Sequence, residues 1–232
     1  MPTILSLDTS SDIASVALMR DGDLFERASA DIRMHSQAVL PMVEALLREG
    51  KVTVRDCDAI AFGCGPGSFT GLRTACGVAQ GLAFGAGLPL VPIVGLCAMA
   101  QGCYEKTGEQ DVLAVLDARM GEVYWAQYRY DNGDWHAVRE PALSRASEIM
   151  ALGSPAICGN ALRIYADALP HVSCAVICPE IVPHASAIAQ LARKAFSRGE
   201  TVSASRADSL YLRDKVAYTT EENRLMKVKQ AC

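Results

Sequence analysis

The sequence predicts an α/β protein made of two similar β-β-β-α-β-α halves. Three observations carry this. Ile4-Leu5-Ser6-Leu7-Asp8 and Val112-Leu113-Ala114-Val115-Leu116-Asp117 are matching apolar runs that each end on an Asp. Each is followed by a second strand-like run and a hairpin turn, Asp21-Gly22 in the first half and Asn132-Gly133 in the second. Short buried strands then alternate with helix-length segments, as in layered α/β domains.

The elements follow in order. Thr3–Thr9 reads as a buried strand, Ile13–Arg20 as its partner, and Asp23–Ala30 as the returning strand. His35–Arg48 has helical length and content. Ala59–Gly63 is a short strand, and a glycine loop leads to a helix over Phe69–Gly85. Leu90–Val94 and Leu96–Glu105 are the next strand and helix. In the second half, Glu122–Tyr130, Asp134–Glu140, Ala156–Gly159 and Val172–Cys178 are predicted strands. Ala161–Leu169 and His184–Ser197 are predicted helices. The lobes are expected at 1–106 and 107–215. The polar residues 216–232, with Glu221-Glu222, Lys227 and Lys229, are expected to form a C-terminal tail.

Composition narrows the function. The chain has 232 residues, 50% hydrophobic and 21% charged, which suits a globular protein with a sizeable core. Net charge is −4 and aromatics are 6%, so neither a basic nucleic-acid surface nor a base-stacking platform is expected. The 9 cysteines include no CxxC and mostly have small or apolar neighbours, which predicts buried, reduced thiols in a cytoplasmic protein. The N-terminus lacks a signal-peptide pattern. Thr74–Tyr104 contains no charged residue, yet its glycines, Pro89 and Pro92 cut it into pieces too short for a membrane span. His35, His136, His171 and His184 lie far apart, no Ser-His-Asp or Cys-His spacing appears, and no metal site is expected.

The most distinctive stretch is Gly63-Cys64-Gly65-Pro66-Gly67-Ser68-Phe69-Thr70-Gly71-Leu72-Arg73, between a strand and a helix. Free amides at a helix start attract anions, and Ser68 can cap the helix. No Gly-Lys-Ser/Thr closes the loop, so it is not a Walker A motif. A purely structural strand-to-helix turn is the competing reading.

A duplicated β-β-β-α unit with an Asp closing each first strand resembles the actin/sugar-kinase/Hsp70 (ASKHA) fold. In that fold two hairpin loops clamp nucleotide phosphates between the lobes. Here the loops are Asp8-Thr9-Ser10-Ser11 and Asp117-Ala118-Arg119-Met120-Gly121, and both depart from the pattern. Asp8, Thr9, Ser10, Gly65, Gly67, Ser68 and Asp117 are thus expected to be vestigial phosphate-loop residues. Nucleotide binding by the chain alone is not expected. The alternative is an ATP-dependent, sugar-kinase-like phosphotransferase using Asp8 and Asp117.

Gly65–Arg73 is similar to the signature of the bacterial TsaB (YeaZ) family. Ile4–Ser10, Leu116–Trp125 and Tyr211-Leu212-Arg213 resemble its opening, mid-chain and C-terminal motifs. The resemblance implies a role in forming N6-threonylcarbamoyladenosine at position 37 of tRNAs that read codons beginning with A. It implies an accessory subunit, not an enzyme. The partners would be a TsaD-like transferase paralogue, a TsaE-like ATPase and a second copy of the chain. tRNA would be met only through the complex. No cofactor of its own is implied; a nucleotide, ATP or ADP, would sit at the complex interface. The family's glycoprotease or peptidase M22 label does not imply proteolysis. The paralogue's His-x-x-x-His pair has as its counterpart Val94-Gly95-Leu96-Cys97-Ala98-Met99-Ala100, which contains no His.

Two helices are more apolar than one sheet contact requires. A helix docked on its own sheet needs an apolar stripe of about 100°. Apolar residues cover most of His35–Leu47, and Phe69–Gly85 has Arg73 as its one charge and Gly77, Gly81 and Gly85 at spacing four. Either both helices are wholly internal, or they share an exposed apolar face that meets a partner. The resemblance favours the partner face. Its expected residues are His35, Ala38, Val39, Met42, Leu46, Thr74, Gly77, Val78, Gly81, Leu82 and Gly85. They would cover on the order of 600–800 Å² per partner.

Overall fold

The computed structural model describes residues 1–29, 35–169 and 176–213. The first half contains β1 (Ile4–Asp8), β2 (Ala14–Arg20), β3 (Asp23–Ser29), α1 (His35–Glu49), β4 (Ala59–Gly65), α2 (Phe69–Ala86), β5 (Leu90–Val94) and α3 (Gly95–Thr107). The second contains β6 (Asp111–Arg119), β7 (Glu122–Asp131), β8 (Asp134–Arg145), β9 (Ala156–Cys158), α4 (Ala161–Ile164), β10 (Ile177–Cys178) and α5 (Ala185–Ser197).

The two sheets have the same topology. The first runs β3-β2-β1-β4-β5; the second, read from its other edge, runs β8-β7-β6-β9-β10. In each, the first two pairings are antiparallel and the last two parallel. This duplicated α/β arrangement is the ASKHA-like fold. β1 and β4 are buried along their whole length, as their unbroken apolar runs require. β3 is an edge strand, and its Asp23, Glu26 and Arg27 keep that edge polar.

The helices close the core in a crossed manner. α1 and α2 cover one face of the first sheet: Val39, Val43, Leu46, Ala75, Ala79 and Ala83 pack with Leu5, Leu7, Ile60 and Phe62. α5 covers its other face through Ile188, Ala189 and Ala192 against Ile4, Ala59 and Val91. α3 crosses to the second sheet, where Leu96, Met99 and Cys103 meet Val112, Ala114 and Tyr128. Small residues on α5 let helix and sheet approach closely.

Local chemistry sets the helix ends. Ser68 caps α2, its Oγ accepting from the Gly71 amide at 3.4 Å, and Gly87 ends the helix at φ 73°. His184 caps α5 by accepting from the Ser186 amide at 3.4 Å. Pro41 lies inside α1 and removes one helical hydrogen bond; buried Val39, Val43 and Leu46 hold that helix to the sheet.

One expectation differs from the structure. The predicted helix Ala161–Leu169 is regular only over Ala161–Ile164. Tyr165 leaves helical backbone at φ −122°, and its hydroxyl donates to Asp117 Oδ1 at 2.9 Å. Of the predicted strand Val172–Cys178, Ile177 and Cys178 pair with β9, and 172–175 lie outside the described residues. Cys57, Cys64, Cys76, Cys97, Cys103, Cys158 and Cys178 are free thiols, and all but Cys97 are buried. His171, Cys174, Cys232 and the tail from 216 also lie outside the described residues.

Candidate functional site: the interlobe cleft and the α1–α2 face

Two features emerge from the elements that the motifs singled out. The first is a cleft of about 390 Å³ between the lobes. It is lined by Ser10, Ser11 and Asp12 after β1, Ser68–Thr70 at the start of α2, and Asp117–Met120 of the second hairpin. Asn160 and Leu210–Arg213 complete it. The loops that follow the two strand-end Asp residues both reach this cleft.

The first loop is closed upon itself. Asp8 is fully buried, and its carboxylate accepts from the Ser10 amide at 2.9 Å and from Ser10 Oγ at 2.9 and 3.0 Å. It sits in the notch left by Gly63, where a Cβ would lie 1.8 Å from Asp8 Oδ2. Burial raises its pKa from 3.8 to about 7, against the lowering effect of the Ser10 hydrogen bonds. Asp8 therefore does not line the cleft.

The loop backbone also fills space that an anion would need at α2. The Ser68 amide donates to Ser10 O at 2.8 Å. A Cβ on Gly67 would lie 2.5 Å from Ser10 O, and one on Gly71 would lie 1.8 Å from Thr9 O. Thr9 Oγ1 donates to Gly71 O at 2.6 Å. Gly67 and Gly71 are thus glycines because another backbone presses on them. Gly65 has φ 115° and faces Leu210 O, so its role is also one of backbone approach.

The second loop is open to the cleft. Asp117 Oδ1 accepts from the Arg119 amide at 2.8 Å and from the Tyr165 hydroxyl, and Asn160 Oδ1 accepts from the Asp117 amide at 2.9 Å. Arg119 and Met120 are held at φ 63° and 57°. Arg213 donates to Ala118 O at 2.9 Å and pairs with Glu122 at 2.6 Å, which ties the C-terminal Tyr211-Leu212-Arg213 motif across the cleft. The Tyr211 ring meets Phe69 tilted at 50° with centroids 5.7 Å apart, and Arg73 lies 3.8 Å over the same Phe69 ring. Among the described residues no group of three or more His, Cys, Asp or Glu could hold a metal ion.

The second feature is the outer face of α1 and α2. Ala38, Met42, Thr74, Val78 and Leu82 are half-buried, and Gly77, Gly81 and Gly85 are exposed. A Cβ on any of these three glycines would meet nothing within 4 Å, so no contact among the described residues explains them. Val39 and Leu46 differ from expectation: both point inward and are fully buried in the first core. They fall on the sheet-facing stripe, which apolar content alone does not separate from the outer one. His35 opens α1. Phe84, 84% exposed, extends the face and was missed. Phe84 lies three residues after Gly81, a helical spacing that could have revealed it.

Comparison with known proteins decides the family. A family model described as "TsaD: tRNA N6-adenosine threonylcarbamoyltransferase" matches residues 27–229. The tRNA threonylcarbamoyladenosine biosynthesis protein TsaB of Escherichia coli K12 is 39% identical over 222 residues, covering 93% of this chain and 96% of that one. The chain belongs to the TsaB (YeaZ) family. The TsaB protein of Haemophilus influenzae is 36% identical over 225 residues, covering 93% of this chain and 95% of its own. Among solved structures, YeaZ from Pseudomonas aeruginosa superposes with a TM-score of 0.86 at 36% identity, covering 91% of this chain and 100% of that one. A second Pseudomonas aeruginosa structure, described as similar to peptidase YeaZ, has a TM-score of 0.87 at 38% identity, covering 92% of this chain and 100% of that one. None of the residues lining the cleft is a His or Cys that could serve as a peptidase nucleophile–base pair. No helix of the described residues is long and apolar enough to cross a membrane.

Proposed function

We propose that the chain is a non-catalytic, activating subunit of the cytoplasmic machinery that forms N6-threonylcarbamoyladenosine at position 37 of tRNAs reading codons that begin with A. It binds a TsaD-like transferase through the α1–α2 face, and a TsaE-like ATPase joins the assembly. The observation that carries this reading is the bare glycine stripe beside Phe84 on a family member. An exposed apolar face of this kind is costly in water, and it gains by association at roughly 25 cal/mol per Å².

The sealed first loop favours the accessory role over the phosphotransferase alternative. A phosphotransferase of this fold needs a strand-end Asp facing the nucleotide, and Asp8 instead lies behind Ser10. Any ATP or ADP then belongs to the interface of the complex rather than to this chain alone. The same outer face accepts a second copy of the chain by twofold symmetry, so homodimer and heterodimer exclude one another.

The test is reconstitution. The chain alone, given tRNA and the threonylcarbamoyl donor, should produce no modified adenosine, and adding a TsaD-like transferase with the ATPase should restore it. The variant Gly81→Arg should stay folded and fail to support modification. Product from the chain alone, or full activity of Gly81→Arg, would refute the proposal.

A further inference from the structure

A second groove, of about 820 Å³, shares no residue with the cleft described above. It lies between β5 and β8, which are edge strands of the two different sheets, and is closed by the end of α5. Apolar side chains lie on both sides, Pro92, Ile93, Leu191 and Val202 on one and Ala137 and Pro141 on the other, and charged groups from β8 and the end of α5 join them. That size, with apolar surface beside polar groups, suits a small organic ligand.

One polar group there has no partner. Tyr128 of β7 lines the groove and is only 5% exposed, yet its hydroxyl makes no hydrogen bond with any described residue. Both indoles of the second lobe are satisfied, Trp125 Nε1 donating to Ser144 Oγ at 3.0 Å and Trp135 Nε1 to Gln101 Oε1 at 2.8 Å; the Tyr124 hydroxyl, 8% exposed and lining the interlobe cleft, is unpartnered among the described residues as Tyr128 is. A buried hydroxyl without a partner costs free energy and points to a missing one. Burial drives the Tyr128 phenol far up, with the Cys97 and Glu140 charges acting in the same direction, so it stays protonated and can donate.

The charges in the groove then select among ligands. Arg198 is taken by Asp134 at 2.8 Å and Glu200 at 2.6 Å. Lys194 donates to the Tyr130 hydroxyl at 3.3 Å and to Gly133 O. Glu140 and His136, both exposed, have no ion pair among the described residues. Arg198 is thus neutralised, and Lys194 donates to two neutral oxygens. A hydroxyl donor, Tyr128, and a carboxylate acceptor, Glu140, line the same groove.

We propose that this groove binds an uncharged planar heterocycle whose edge carries a ring acceptor beside an amino group, the edge of an aminopurine or aminopyrimidine. The ring lies between the apolar walls. The Tyr128 hydroxyl donates to the ring nitrogen, and the amino group donates to the Glu140 carboxylate. A phosphate is no part of this recognition, which uses the ring edge alone. The site is independent of the α1–α2 face and of any partner bound there.

The experiment is an NMR titration of the isotope-labelled full chain with adenosine, using inosine as the control that reverses the edge. Adenosine should shift the resonances of Cys97, Tyr128 and Trp135, and inosine should bind at least tenfold more weakly. Tyr128→Phe should fold with an undiminished melting temperature, since it removes an unpartnered group, and should weaken adenosine about tenfold. Glu140→Lys, an exposed change, should weaken it similarly and serves should Tyr128→Phe fail to fold. Absence of shifts at millimolar adenosine, shifts at Ser10 and Ser68 instead, equal binding of inosine, or unaltered binding by Glu140→Lys would each overturn the proposal.

Discussion

The two halves share a sheet topology but differ in what lies upon it. In the first half, α1 and α2 are long helices whose inner stripes fill the core and whose outer stripes stay apolar. In the second half, the same positions hold a single 3-10 turn at Ala146–Glu148 and the one-turn helix α4. Those short pieces cover the sheet: Ala146, Ile149 and Ala161 pack on Leu113, Val115 and Trp125, while Met150 and Ile164 stay exposed beside them. The strand-end acids diverge as well, Asp8 buried under Ser10 and Asp117 lining the cleft. A duplicated sheet thus tolerates two helix layers, one of short turns and one of two long helices, of which α2 carries the glycine stripe.

The comparison breaks most severely at the glycines under the first loop. Gly63→Ala or Gly71→Ala would push a Cβ to 1.8 Å from Asp8 Oδ2 or from Thr9 O. Either should cost several kcal/mol of stability by denaturant unfolding, because backbone and a buried acid must move. Gly77→Ala, in open space on the same helix as Gly71, should instead gain about 0.5–1 kcal/mol from helix propensity while weakening association. A Gly71→Ala variant as stable as the wild type would show that the loop is not sealed.

The two acids sharpen the contrast next. Asp8 is raised from 3.8 to about 7, so the folded state keeps a proton that the unfolded chain has lost over this range. Its stabilising contribution is complete below about pH 4 and is lost as pH rises through 7. Thermal melts should fall across that window, by on the order of 3–4 kcal/mol from this group. Asp8→Asn should flatten the profile. Asp117→Asn keeps the acceptor oxygen for Arg119 and Tyr165, and should cost no more than about 1 kcal/mol. A pH profile unaltered by Asp8→Asn would contradict the burial argument.

The outer face gives the smallest effect on folding but a clear one on assembly. Phe84→Glu should leave circular dichroism unchanged, because this side chain is 84% exposed. It should weaken self-association by at least tenfold in sedimentation, since an unpaired charge would be buried on contact. The corresponding change in the core, Leu46→Glu, should unfold the chain, since Leu46 is fully buried.

The sequence by itself determined the order of strands, the duplication and both hairpin turns, because local periodicity and Asp-Gly or Asn-Gly turns act between near neighbours. It also marked Gly65–Arg73 and the two apolar helices as unusual. Only the tertiary structure decided which stripe of those helices faces outward. Val39, Leu46 and Phe84 are equally apolar, and their fate depends on how the helices rotate upon a sheet built from distant residues. The crossing of α3 and α5 to the opposite sheets was likewise not legible, since it rests on packing between halves. The same holds for Asp8: its place at a strand end suggested a vestigial phosphate loop, and the missing Cβ of Gly63, distant in sequence but adjacent in space, leaves room for a buried acid held by Ser10.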